Sequence, residues 1–285
     1  MWLSLLTVFK RRLMLRTALA YLILIFSVSC SNALSNFANK TDDEALYYTA
    51  LDGIRSADYA SAIAACTSMS TSFSGEARST NLCAAAYAGS CGYSLLTMIS
   101  DLDTYFTTPP PEKLFHWYLT QNLGATQTRI NDCDTAEAKI RSLGPASTRT
   151  ADQNSFMVML SIYKIGLVTT DAGDTGNDQI LDVGFDACTS ISDAQAQSIG
   201  SAFWELDKSL TALSANLYYS TLAGVVGALC TALNGIGKDL CNATDQTNLS
   251  PVELDGARSL IKEGAVVGVD QTGCSGGTVA TCNCP

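Results

Sequence analysis

Eleven cysteines in a chain of 285 residues constrain this fold more than any other feature. The fold must pair them, bind metal with them, or bury them reduced. Cys30 stands alone near the start. Cys66, Cys83, Cys91, Cys133, Cys188, Cys230, Cys241, Cys274, Cys282 and Cys284 are spread through the body of the chain. An even number of cysteines in the body of an exported chain reads as a disulfide framework. Metal fits less well. Cys282-Asn283-Cys284 lacks the two-residue spacing of a zinc knuckle, and the one histidine, His116, is far from it. If a helical hairpin turns near residues 74–75, Cys66 and Cys83 reach the same height on antiparallel helices, where they could bridge. Cys91 is the competing partner for Cys66. Cys230 with Cys241 is a pairing of the same kind.

Whether disulfides form depends on export, and the first thirty residues speak to that. Lys10, Arg11, Arg12 and Arg16 make a basic region, and Thr17 to Phe26 an apolar one too short to span a bilayer as a helix. Ser27-Val28-Ser29-Cys30 closes the segment with small residues and a cysteine; Met14 is an alternative start. The tetrapeptide resembles the lipobox of bacterial lipoproteins, with Ser27 where that motif usually has Leu, Val or Ile. The resemblance implies a signal peptide over 1–29, cleavage before Cys30, and lipidation of Cys30. Acyl chains, rather than the fold, would then hold the protein to a membrane. It also implies an outer-membrane address facing the periplasm, because Ser31 is not the aspartate that retains such proteins at the inner membrane. The alternatives are an uncleaved anchor and ordinary secretion after a cut elsewhere. Residues 30–41 read as a polar tether.

Removing 1–29 takes four of the 17 basic residues and none of the 27 acidic ones, so the net charge moves from −10 to −14. Such a surface repels nucleic acid and anionic lipid headgroups. A hydrophobic content of 47% is ample for a packed core.

Strand signals are scarce and helical ones dense, so the expected fold is all-α. Over 42–104, Ala45 to Ala50 and Ala57 to Ile63 are followed by a second copy, Leu82 to Tyr87 and Gly92 to Leu96. Ala50 to Ala84 and Tyr59 to Tyr93 are both offsets of 34 residues, the period of the tetratricopeptide repeat. The segment resembles that family over about two units, with Ala50 and Ala84 at the close-approach position and Tyr59 opening the second helix. Gly53 and Leu96 depart from its pattern. Two units are too few for a free solenoid, so the hairpins are expected to pack on a helical bundle spanning 105–268.

In that bundle, helices are expected near 112–122, 131–143 and 150–169, the last apolar on most sides from Phe156 to Tyr163. Ser192 with Gln195 reads as a capping box. It opens a stripe of Ile199, Phe203, Leu206, Leu210, Leu213 and Leu217. Leu217 to Leu233 is apolar enough to resemble a membrane segment, but Gly224, Gly227 and Cys230 suit close packing, so a buried helix is expected. Ser250, Pro251 and Glu253 open a last helix over 251–265. The tail 269–285 reads as irregular and Cys-rich.

Sites that could carry chemistry are few. His116, between Phe115 and Trp117, reads as packing, since no nucleophile-elbow sequence accompanies it. Asp171, Asp174 and Asp182, with Gly176 at the bend, follow an EF-hand-like spacing. They would be the calcium ligands, although Gly173 supplies no side chain at the third position; no other cofactor is expected. The expected function is a non-catalytic scaffold with a groove on 42–104 for an envelope protein or peptide, which the acidic surface suggests is basic. The alternatives are a ligand-carrying accessory subunit of a solute transport system and, less favoured, a carboxylate-dependent envelope hydrolase.

Overall fold

The computed structural model describes residues 42–93, 113–119, 124–271, 274 and 276–285. The leader, Cys30, the tether and the repeat region beyond Tyr93 lie outside the described residues. Among those described, the secondary structure is helical and contains no strand.

The N-terminal unit comprises α1 (Asp43–Arg55), α2 (Tyr59–Ser68), the single turn α3 (Thr71–Ser74) and α4 (Ala77–Cys91). Side-chain oxygens set three of the four starts: Asp42 accepts from the Ala45 N–H, Asp58 from Ser61 and Ser70 from Phe73. The 34-residue offset carries Asp43, the first residue of α1, onto Ala77, the first of α4, and both Ala50 and Ala84 are fully buried. Gly53, at a position where the repeat pattern wants an aromatic, is where α1 and α2 come closest. A Cβ there would lie 2.9 Å from the Asp58 carbonyl and 3.0 Å from the Ala62 Cβ. The small core of this unit gathers Ala50, Ala62, Phe73, Leu82 and Ala86 around the Cys66 and Cys83 sulfurs. It is separate from the main core.

The bundle follows as α5 (Leu114–Leu119), α6 (Gln127–Arg141), α7 (Ala151–Gly173), the short α8 (Ala187–Ser190), α9 (Asp193–Leu213), α10 (Leu217–Gly235) and α11 (Pro251–Lys262). Capping boxes open α7 (Thr150, Gln153), α9 (Ser192, Gln195) and α11 (Ser250, Glu253). The centre is α7, buried without interruption from Met157 to Thr170. Helix α9 makes the most extensive contact with it, through Ile199, Phe203, Leu206 and Leu210. The stripe expected to run on to Leu217 breaks after Leu213: the helix stops there, and Leu217 opens α10 instead. Among the described residues, α7 alone is long and apolar enough to cross a membrane by length and composition, and 83% of that stretch is buried against protein.

The two units meet where α4 lies on α6. Cys91 at the end of α4 pairs with Cys133. The chain leaves α4 through Gly92 at φ +97, where a Cβ would collide with the Arg129 guanidinium. Arg129 donates instead to the Cys91 carbonyl at 2.7 Å and the Tyr163 hydroxyl at 2.8 Å.

The last helix, expected to reach 265, ends at Lys262 because Glu263 turns back on the chain. Its fully buried carboxylate accepts from the N–H groups of Ala265, Val266, Val267 and Gly268. Four donors on one carboxylate outcompete another helical turn. The tail beyond is held by Cys188–Cys284 and Cys274–Cys282.

Candidate functional site

The structure pairs Cys66 with Cys83 across the turn between α2 and α4, and Cys230 with Cys241 across the end of α10. Cys91, the competing partner for Cys66, goes to Cys133. Near Cys230 and Cys241, an Asp207 carboxylate oxygen lies within 4.8 Å of both sulfurs. The sulfurs are bonded to each other, so that group offers no thiolate to a metal.

The acidic spacing over 171–182 does not converge on one point. Asp171 sits in the last turn of α7 and accepts from Gln195 at 2.8 Å. Asp174 accepts from the N–H groups of Asp178 and Gln179 at 2.9 and 2.8 Å, and Asp182 from the hydroxyl of Thr175 at 2.7 Å. Asp174 and Asp182 thus take up donors from their own turn and Asp171 one from the start of α9, and no helix leaves the loop at position twelve as an EF-hand requires. His116 is half-buried in α5, whose neighbouring Phe115 N–H donates to the Val267 carbonyl at 2.8 Å. That contact ties α5 to the tail, a packing role.

The expectation for 217–233 needs correcting. Only Val226, Leu229 and Leu233 of α10 are buried. Gly224 and Gly227, read as close-packing positions, face open space, with nothing within 4 Å of where a Cβ would sit. Among the described residues the helix lies at the surface, with Thr221, Gly224, Ala228, Thr231 and Asn234 exposed, all small and uncharged. Against the tail it forms a half-open groove of about 530 Å³, lined by Val225, Ala228, Leu229 and Ala232 on the helix and by Val266 and Val279 opposite. Glycine and alanine there keep the floor shallow, so a bound chain could come close to the α10 backbone. Among the described residues no charged one lines the groove, and none occurs from Leu217 to Gly235.

A second feature lies at the junction of α6, α7 and α9, where six charged side chains meet. The fully buried Lys164 Nζ of α7 lies 2.6 Å from Glu137 Oε2 and 2.5 Å from Asp134 Oδ1, both on α6. Arg141 reaches Glu137 at 3.2 Å, and Arg149 reaches the fully buried Glu205 of α9 at 2.9 Å. Three cations balance three anions, as burial demands, since an unpaired charge out of water is very costly. Burial pushes the Glu137 carboxyl above the ordinary carboxylate range, against the pull of Lys164 and Arg141. For Lys164 burial works against the charge, but the carboxylates of Glu137 and Asp134 outweigh it and hold the proton more tightly than usual. Glu137 Oε1 has no hydrogen-bond partner. Lys164, Glu137, Glu205 and Arg149 are sealed between helices while Asp134 opens to solvent, and no member of the cluster lines the groove.

Sequence reasoning passed over both features. Lys164 was visible as a lone charge in an apolar helix, but nothing in the spacing linked it to Glu137 or Glu205. The groove left less trace: the face α10 would turn outward depends on where α9 and the tail lie.

Compared with known proteins, the chain matches no family model, no curated protein and no solved structure.

Proposed function

We propose that this protein is an exported, lipid-anchored envelope protein that binds rather than catalyses, and that the α10 groove docks an uncharged apolar segment of a partner protein. The observation that carries the reading is a half-open groove with no charged residue among its described lining, on a chain of net negative charge. The groove walls are almost wholly apolar, with Val225, Leu229, Val266 and Val279 facing it, so it favours an apolar occupant over a charged one. The small residues Gly224, Ala228 and Ala232 recur every four positions, so one face of α10 admits a helix at close range. This moves the expected docking surface from 42–104 to α10. The N-terminal hairpins, whether or not they stack as true repeats, serve in this reading as a brace on α6.

A groove of this volume also suits a small apolar ligand, and this is the second reading. A photo-reactive residue at Ala228 in intact envelopes separates the two. Docking predicts an adduct whose cross-linked peptide is an uncharged apolar segment of another protein, with no adduct from an exposed control at Asp52. A homodimeric adduct would assign the face to self-association. An adduct with a small molecule alone would move the reading to ligand carriage.

A further inference from the structure

Lys164, Asp134 and Glu137 form an arrangement that a salt bridge does not require. An amine, a carboxyl group that can accept it and a second carboxyl group that can carry protons are held in contact. Lys164 Nζ is fully buried, 2.5 Å from Asp134 Oδ1 and 2.6 Å from Glu137 Oε2. Asp134 and Glu137 are one turn apart on α6, so both reach Lys164 from the same helix face. We propose that Lys164 and Asp134 condense into an intramolecular amide, with Glu137 as the proton-carrying catalytic residue.

The step balances without any co-reactant. A proton passes from Nζ to Glu137 Oε2 across the existing 2.6 Å contact, leaving a neutral amine. The Nζ lone pair forms a bond to Cγ of Asp134. Glu137 gives that proton to the departing carboxyl oxygen, takes a second one from the newly bonded nitrogen and passes it to the same oxygen; the Cγ–O bond then breaks and one water leaves. One ammonium and one carboxylate become one amide and one water, and nothing is oxidised or reduced.

Four features of the site favour this course. Contact between the groups replaces a bimolecular encounter, the kind of advantage that reaches effective molarities of about 10⁵–10⁸ M in well-oriented cases. Burial raises the proton affinity of the Glu137 carboxyl, so that it can hold the proton in transit, while the neighbouring carboxylates hold the Lys164 proton more tightly and set the barrier to be crossed. The Ser198 hydroxyl donates to Asp134 Oδ1 at 3.1 Å, where negative charge would develop during attack. The Asp134 side chain is 43% exposed while Lys164 is 0% exposed, so the water has a way out although the amine is sealed in. The product also removes two charges whose desolvation is costly. It would staple α6 to α7 as the disulfides staple the rest.

The test is peptide mapping of the full-length mature protein purified from envelopes, reduced and alkylated so that no disulfide joins the fragments, then cut with trypsin. The amide blocks cleavage after Lys164. The expected product is a branched peptide in which 130–139 is carried on 150–208, lighter by one water than the two together. Glu137→Gln and Asp134→Ala should each restore free 130–139 and cleavage after Lys164. The wild-type map decides the matter even if those variants fail to fold. Free 130–139 and free 150–164 from the wild type would overturn the proposal, as would a lost water that maps to other residues.

Discussion

Helices α7 and α10 are the two long apolar helices of this molecule, and their fates are opposite. Helix α7 carries Asp152, Lys164 and Asp171 in its 23 residues yet lies at the centre of the bundle. Helix α10 carries no charge in 19 residues yet lies on the surface, with Gly224 and Gly227 open to space. Composition alone would place them the other way round. Neighbouring helices decide the matter: α6 and α9 bring Glu137, Asp134 and Glu205 to meet the cations inside, so a charged helix is tolerated there. No element covers the outer face of α10 among the described residues. Helix α7 therefore organises the fold, and the groove on α10 is where the proposed docking would take place.

The contrast breaks most severely if the ion cluster is opened. Glu205→Leu strands Arg149, whose side chain is 2% exposed. It should cost about 3–5 kcal/mol in denaturant unfolding, the usual penalty for removing one partner of a buried pair. Adding Arg149→Met should recover most of that loss, because no charge is then left unpaired.

Next in size is the junction between the units. Gly92→Ala forces a Cβ into a φ of +97 and against Arg129, and should cost roughly 1–3 kcal/mol. The melting temperature reports it.

The pH dependence of the cluster is a gentler probe. Burial raises the Glu137 carboxyl from an ordinary value of 4.5. A raised folded-state pKa means that its contribution is complete below the unfolded value and is lost as pH rises through the folded one. With Asp134→Ala in both proteins, so that neither can form the amide, the one that keeps Glu137 should therefore lose stability relative to Glu137→Gln as pH climbs through that window. Parallel pH profiles for the two would show that Glu137 does not titrate there.

On α10 the expected sign reverses. Gly227→Ala meets nothing within 4 Å and should stabilise the helix by roughly 0.5–1 kcal/mol. The same substitution would destabilise if the helix were packed as its sequence suggested. Smallest of all, calcium in place of chelator should leave the melting temperature unchanged, since Asp171, Asp174 and Asp182 accept from separate donors. A clear rise would restore the calcium reading.

What could be read from the sequence divides along the same line. Helix starts at Ser192 and Ser250 were readable because a cap and its partner lie three residues apart. The Cys66–Cys83 pairing followed from hairpin symmetry, which is nearly local. The end of α11 was not readable: it depends on the Glu263 carboxylate gathering four N–H groups from a tail with no periodicity. The charge cluster and the groove escaped for a stronger reason. Lys164 finds Glu137 27 residues away and Arg149 finds Glu205 56 away, and the free face of α10 is defined by what fails to cover it. Patterns along one helix report which face is apolar, but not whether another element meets it.

The most direct test of the account is the binding of a neutral, environment-sensitive apolar dye to the purified protein, compared between wild type and Ala228→Arg. Ala228 is exposed in the groove, so a guanidinium there should fill the site without disturbing the core. The account predicts that dye fluorescence is high with wild type and largely lost in the variant, while the melting temperature stays the same. Equal dye binding by the two proteins would contradict it and place the free apolar surface elsewhere than α10.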